Sequence, residues 1–267
     1  MENPMDVRRD DYTFESAPEV LEKMRQAEDL HQHIPEESVQ DLQRVDVSHH
    51  PYRRLKRLLD VVISAVGLVV LLVPMLLIAV IVMIDNPGPA IFSQYRVGLN
   101  GKRFKLYKFR SMRRSTPKYM ATEELENPVR YITKSGKLLR KLSLDELPQL
   151  WNVLRGDMSL IGPRPLISDE YEIHAMRMRF GVYTTRPGIT GLAQINGRDL
   201  IRPDEKIHWD VKYLENFGLR TDLRILFSTF PKVFDGRGVS EGSKTAPDAA
   251  ETAETPEDPA PMDTTGT

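Results

Sequence analysis

Asp145 and Glu146 stand side by side in the stretch 143–165, SLDELPQLWNVLRGDMSLIGPRP, shortly after the cations Lys137, Arg140 and Lys141. The stretch closes on Gly-Pro-Arg-Pro, a stiff turn that presents the guanidinium of Arg164. Adjacent carboxylates beside several cations suit chemistry on a metal-bound phosphate. A carboxylate serves as nucleophile or metal ligand, and the cations offset the charge of a diphosphate. The same letters admit a purely local reading. Ser143 followed by Glu146 fits S-x-x-E, a helix capping box, with Asp145 an ordinary first-turn acid favoured by the helix dipole. The two readings are compatible, because a helix N-terminus also attracts phosphate and keeps a carboxylate ionised. The helix carrying the acids is expected over 144–154, with Pro148 bending or delaying its first turn and Gly156 ending it.

These residues need a frame, and the charge distribution describes one. The 267 residues allow one or two domains and a real core. With no cysteine, disulfides and thiolate chemistry are excluded, and a reducing compartment is compatible. Residues 1–50 hold 5 basic and 13 acidic side chains, and residues 236–267 hold 2 and 7. The body between them has 30 against 18, net +12. A basic body between acidic ends points to a polyanionic partner: a phosphorylated substrate, anionic lipid or nucleic acid.

Residues 61–84 carry no charge over 24 positions, interrupted only by Ser64, Gly67 and Pro74. As one helix they would measure about 36 Å, enough to cross a bilayer. Yet Arg53, Arg54, Lys56 and Arg57 precede them, and Arg96, Lys102, Arg103, Lys105, Lys108 and Arg110 follow. Two basic flanks place both ends on the cytosolic side. Pro74 removes a bond to the Val70 carbonyl. A helix that enters the membrane, breaks at Pro74 and returns satisfies all of this, with legs over 61–73 and 75–84 of about 20 and 15 Å. A single kinked span is the alternative.

The remaining elements follow from local pattern. Residues 1–50 read as a polar extension without a signal peptide, holding one helix that opens at the capping box Ser16-Ala-Pro-Glu19 and is either a solvated tether or a docking helix. His31, His33, His49 and His50 lack metal-ligand spacing. Strands are expected over 91–97 and 102–110, joined at Asn100-Gly101, with Leu106, Lys108 and Arg110 on one face. A mobile loop over 115–127 precedes a short basic helix over 137–142. A helix is expected over 169–180. Residues 186–198 read as a turn, a short strand and a second turn, whose glycines either admit a ligand or are plain loop chemistry. Helices over 204–217 and 219–234 follow. The second presents Leu223, Leu226, Phe227, Phe230 and Phe234 to a core or a membrane interface. The tail from Gly236 has the composition of disorder.

Three stretches together resemble the bacterial sugar transferase family, the monotopic phosphoglycosyl transferases that start polyprenol-linked glycan assembly. They are residues 56–113 (KRLLD, the apolar run, then NPGPAIFSQYRVGLNGKRFKLYKFRSMR), residues 138–165 and residues 186–198, RPGITGLAQINGR. The likeness covers roughly 54–234 and is closest to the short, single-domain members. It implies an α+β, mainly helical fold: a membrane helix over 51–89 broken at Pro74, a β-hairpin, and a compact cytosolic catalytic domain over 90–235, with 1–50 and 236–267 as acidic appendages. It implies transfer of a sugar 1-phosphate from a UDP-sugar to undecaprenyl phosphate, with UMP released and Mg²⁺ required, on the cytosolic face of the bacterial inner membrane. In that resemblance Asp145 is the nucleophile, Glu146 its partner near the metal, and both acids are metal ligands. Arg140, Arg164 and Arg198 bind phosphate or nucleotide, with Lys108 and Arg110 assisting. Homo-oligomers and downstream glycosyltransferases are the further partners to consider. Family members often carry Ser-Pro at the membrane break, where this chain has Val73-Pro74; valine has no hydroxyl to satisfy freed backbone groups in lipid. The rival is a non-enzymatic membrane adaptor, which explains anchor and charge but not Asp145-Glu146, GPRP and PGITG in one domain. A nucleic-acid binder lacks any accompanying motif.

Overall fold

The computed structural model describes residues 34–116, 128–167, 170–197 and 201–235. Its apolar run forms two helices, α1 (Tyr52–Val70) and α2 (Leu72–Asp85), which meet at 63°. Neither is long and apolar enough to cross a membrane by itself, but the pair together has the length and composition. The break falls at Leu71, three residues before the proline expected to mark it. Pro74 sits in the first turn of α2, where a missing N–H is tolerated, while its ring excludes a straight continuation past the Val70 carbonyl. Regular bonds resume at once on both sides: Leu71 N–H donates to Gly67 O and Met75 N–H to Leu71 O, both at 2.8 Å.

The faces of α1 differ. Lys56, Asp60 and Ser64, spaced four apart, are buried against the globular body, whereas Leu58, Val62, Val66, Val69 and Val70 are exposed. Lys56 pairs with Asp222 at 2.5 Å, and Asp60 accepts from Leu160 N–H (3.0 Å) and Ser159 Oγ (3.1 Å). On α2 only Val82 is buried; Leu72, Val73, Leu76, Leu77, Val80, Ile81 and Ile84 are exposed.

Antiparallel strands β1 (Ile91–Val97) and β2 (Arg103–Phe109) pair from Ile91↔Phe109 to Val97↔Arg103. Asn100 (φ 55°) and Gly101 (φ 68°) supply the positive φ angles that an Asn-Gly turn requires. Beyond the hairpin come α3 (Pro128–Tyr131) and α4 (Lys134–Lys141). The latter starts three residues earlier than expected, because the Thr133 side chain caps it through Gly136 N–H (3.0 Å). Gly136 lies inside the helix, and a Cβ there would stand 2.0 Å from the Ser111 carbonyl oxygen, so this close crossing requires glycine. After the acid pair, α5 (Gln149–Arg155) ends at left-handed Gly156.

Strands β3 (Ser159–Ile161) and β4 (Gly188–Thr190) pair in parallel on either side of α6 (Tyr171–Arg179). The stretch after β4 forms α7 (Leu192–Asn196) where a second turn was expected. Then α8 (Pro203–Glu215) and α9 (Leu219–Asp235) complete the fold. The main core gathers Ile161, Ile173, Val182, Ile207, Val211, Leu214 and Ile225. On α9, Ile225 and Leu226 meet this core, while Leu223 and Phe227 are exposed. The described fold is thus α+β and mainly helical, as expected.

Residues 34–50 are not a tether. Ile34, Val39 and Val47 are buried in the main core, each contributing about 1.5–3 kcal/mol by that burial. Val45 N–H donates to Phe180 O and Val47 N–H to Thr184 Oγ1, both at 3.2 Å. The expected helix after Ser16, all of the expected 115–127 loop but its first two residues, Arg198 and the tail from 236 lie outside the described residues.

Candidate active site

The chain reverses at Ser143, whose left-handed backbone (φ 54°, ψ 21°) is uncommon for a residue with a side chain and costs of order 1 kcal/mol. Leu144–Glu146 then forms a single 3-10 turn before Pro148 opens α5. The capping box is therefore overturned: the Ser143 side chain caps nothing, and the Glu146 carboxylate is engaged by side chains. It pairs instead with Lys108 Nζ at 2.7 Å and with Arg164 Nη1 at 3.5 Å.

Asp145 is 8% exposed, and its carboxylate takes no hydrogen bond from any described residue. Burial pushes its pKa up; the charge of Lys108 opposes this, Glu146 reinforces it, and Arg140 and Arg164 oppose it. Burial would also raise Glu146, but Lys108 and Arg164 hold it at about 2. The two acids thus differ. Two cations settle the charge of Glu146, whereas Asp145 is the carboxylate left available to a ligand.

The candidates divide accordingly. Lys108 from β2, Arg140 from the last turn of α4, and Arg164 converge on the acid pair. Arg110 does not: it lies just past β2, with its guanidinium beside Gly88 and Arg114. Arg198 is not among the described residues, and Pro74 belongs to the bent helix pair. His50 packs edge-on against Phe217 with ring centroids 5.4 Å apart. The PGITG glycines serve close backbone packing: a Cβ on Gly188 would stand 2.1 Å from Gly162 N.

Arg164 is held from behind. Its carbonyl accepts from Arg177 Nη1 at 2.8 Å, and Arg177 is locked by a buried pair with Asp210 at 2.6 Å. Breaking such a pair from one side costs about 3–5 kcal/mol. Val97 N–H donates to Leu166 O at 3.3 Å, and His174 Nε2 bonds Ile167 O at 2.7 Å. The turn is thus fixed at several successive carbonyls, which fixes the backbone from which Arg164 reaches Glu146.

Arg164, Lys108 and Glu146 share a cleft with Arg96, Leu106, Gln149, Pro165, Gly188 and Ile189. Sequence reasoning did not single out Arg96 and Gln149. The available signal was alternation: Gln94 and Arg96 sit two apart on β1 and so share a face, and Gln94 is buried.

No group of three or more His, Asp or Glu side chains suited to a metal occurs among the described residues. Mg²⁺ is commonly held by one or two carboxylates together with waters and substrate phosphates. The unbonded carboxylate of Asp145, with Glu146 adjacent, fits that donor set.

A largely buried acid pair ringed by cations, beside a bent apolar helix pair, has the composition of a site for an anionic ligand. The sequence pattern of the bacterial sugar transferase family matches residues 51–236, and the chain belongs to that family. It is similar to the uncharacterized sugar transferase EpsL of Bacillus subtilis, with 41% identity over 189 residues, 70% of this chain and 91% of that one. Exopolysaccharide production protein ExoY of Sinorhizobium fredii is 38% identical over 197 residues, 68% of this chain and 87% of the relative. The undecaprenyl-phosphate galactose phosphotransferase of Salmonella typhimurium is 38% identical over 191 residues; the match spans 66% of this chain and 40% of that longer protein.

Proposed function

We propose that this enzyme transfers a sugar 1-phosphate from a UDP-sugar to undecaprenyl phosphate, as the first membrane step in making an exopolysaccharide, capsule, O-antigen or related glycoconjugate. The observation that carries the proposal is Asp145: buried, unbonded, and next to a glutamate whose charge Lys108 and Arg164 already balance. The names of the relatives, one an undecaprenyl-phosphate galactose phosphotransferase, support the same reading.

In the proposed mechanism an Asp145 oxygen attacks the β-phosphorus of the UDP-sugar. The bond from that phosphorus to the bridging oxygen breaks, and UMP leaves with the electron pair. A phosphate oxygen of undecaprenyl phosphate then attacks the aspartyl phosphosugar, releasing the Asp145 carboxylate and the lipid diphosphosugar. Two displacements at one residue let the soluble donor and the lipid acceptor use the site in turn. Lys108, Arg140 and Arg164 offset the charge on the transferring phosphoryl group. Asp145 and Glu146 would hold Mg²⁺, which when bound supplies further charge neutralisation at the phosphates.

The bent helix pair is proposed as a re-entrant anchor in the cytosolic leaflet of the bacterial inner membrane, with the site at headgroup level. Support comes from the exposed apolar faces of α1 and α2, the 63° bend and the basic flanks. The test is UMP release by purified enzyme from a panel of UDP-sugars, with and without undecaprenyl phosphate. With one sugar, UMP release of at most one equivalent without the lipid and sustained turnover with it are expected; no release with any UDP-sugar would refute the reaction.

A further inference from the structure

We infer that Arg96 contacts the substrate directly, as a further cation gripping the diphosphate of the nucleotide sugar alongside Lys108 and Arg164. This deepens the reaction proposed above and rests on it. Arg96 stands on β1 and lines the cleft with Lys108, Glu146 and Arg164. Its Nη2 donates to Gln94 Oε1 at 2.8 Å and its Nη1 to Pro165 O at 3.3 Å, a long bond. Its Nε is buried and has no hydrogen-bond partner among the described residues. A buried guanidinium N–H left unpaired is costly, and an acceptor oxygen brought into the cleft removes that cost.

Charge argues the same way. Among the described residues the one carboxylate lining the cleft, Glu146, is already shared by Lys108 and Arg164. Glu170 acts on Arg96 through its charge, but its Oε1 accepts the Ile167 N–H at 3.0 Å. Burial, and then the neighbouring charge of Arg164, lower Arg96 to about 10 against the opposing charges of Glu170 and Glu146, so it remains cationic at neutral pH. The cleft still holds three cations against Glu146, and a diphosphate offers adjacent acceptor oxygens to two planar forks.

The competing role is structural, a tie from β1 to the GPRP turn through Pro165 O. The backbone already makes that tie, through the Arg96↔Ile167 bridge and the Val97 N–H to Leu166 O bond.

The test is calorimetric titration of the purified full chain in lipid nanodiscs with UDP and Mg²⁺, alongside the KM for each substrate. Arg96→Lys keeps the charge and loses the fork. Its Kd for UDP should rise at least tenfold, and the KM for the UDP-sugar should rise while that for undecaprenyl phosphate stays put. Arg155→Lys, on an exposed side chain away from the cleft, should bind UDP like the parent. If Arg96→Lys folds with the parent's Tm and loses kcat with an unchanged Kd for UDP, Arg96 is only a tie and the inference fails. Arg96→Gln, which has a different shape and no charge, must weaken UDP at least as much; parental affinity in it overturns the inference as well. A parent that binds UDP yet never releases UMP would sink the transfer reaction instead, and the titration would still read the Arg96 contact.

Discussion

At the scale of single residues, the acid pair was legible and its environment was not. Asp145-Glu146 and GPRP stand out as residue types, but the letters S-x-x-E also spell a helix cap. Only the left-handed turn at Ser143 and the reach of Lys108 from β2 decide between them. That contact joins residues 38 apart in sequence, so no local pattern contains it. Arg110 misled in the opposite sense: alternation places it on the face of Lys108, but the strand ends at Phe109 and its guanidinium turns to Gly88. The role of Asp145 yields the sharpest prediction. Asp145→Asn should lower transfer about a thousandfold or more, the scale seen when a nucleophile is removed. Because burial disfavours the charged form of Asp145, the asparagine variant should also melt no lower than the parent. Near-parental UMP release, or a clear drop in Tm, would count against the nucleophile in its buried setting.

At the scale of elements, long periodic segments were read well and short ones poorly. Strand β1 falls on its expected bounds and β2 within a residue of them, because an Asn-Gly turn fixes the hairpin locally. Strands β3 and β4 have three residues each and pair across α6, so neither their length nor their spacing carries a signal. The break in the apolar run was legible in cause but not in place, since a proline disturbs the turn before it. Pro74→Ala should straighten the pair. Spin labels at cysteines replacing Leu58 and Ile84 should move from about 33 Å apart to about 39 Å, by rise per residue and a 63° bend. An unchanged distance would mean that packing of Val82 near Phe109 and Leu139, not the proline, holds the bend. Helix α6 yields a pH prediction. Burial lowers His174 to about 3, with the charges of Arg177 and Arg96 acting in the same direction and its bond to Ile167 O opposing. The folded state therefore keeps it neutral, while the unfolded chain binds a proton below about 6.5. Its contribution to stability is complete above that pH and is lost as pH falls toward 3, by about 2 kcal/mol at pH 5. Melting of the parent should fall between pH 7.5 and 5 more steeply than that of His174→Gln. Parallel curves would show that His174 is not the group responsible.

At the scale of the whole molecule, residues 34–50 bear on the proposed membrane anchor. Their apolar residues Ile34, Val39 and Val47 follow no helical or strand period and sit among acids, so the sequence resembles a tether. In the fold they enter the same core as Ile207, Val211 and Leu214, which lie on the far side of the apolar run in sequence. One core cannot be divided by a bilayer, so under the proposed anchor the chain before α1 and the chain after α2 share a side. The polar face of α1 argues likewise, because Lys56 and Asp60 are bonded to α9 and β3 and are not available to cross lipid. A single crossing would separate these groups, each separation exposing buried apolar surface or stranding a buried charge. The expectation follows that single cysteines replacing Gln43 and Ser115, both exposed, are shielded from an impermeant thiol reagent in intact cells and react after permeabilisation. The chain has no cysteine of its own, so each probe reports one position. Labelling of the residue 43 probe in intact cells, with the residue 115 probe shielded, would show a span. It would also mean that the core joining Val39 and Val47 to α8 does not form in the membrane-bound enzyme.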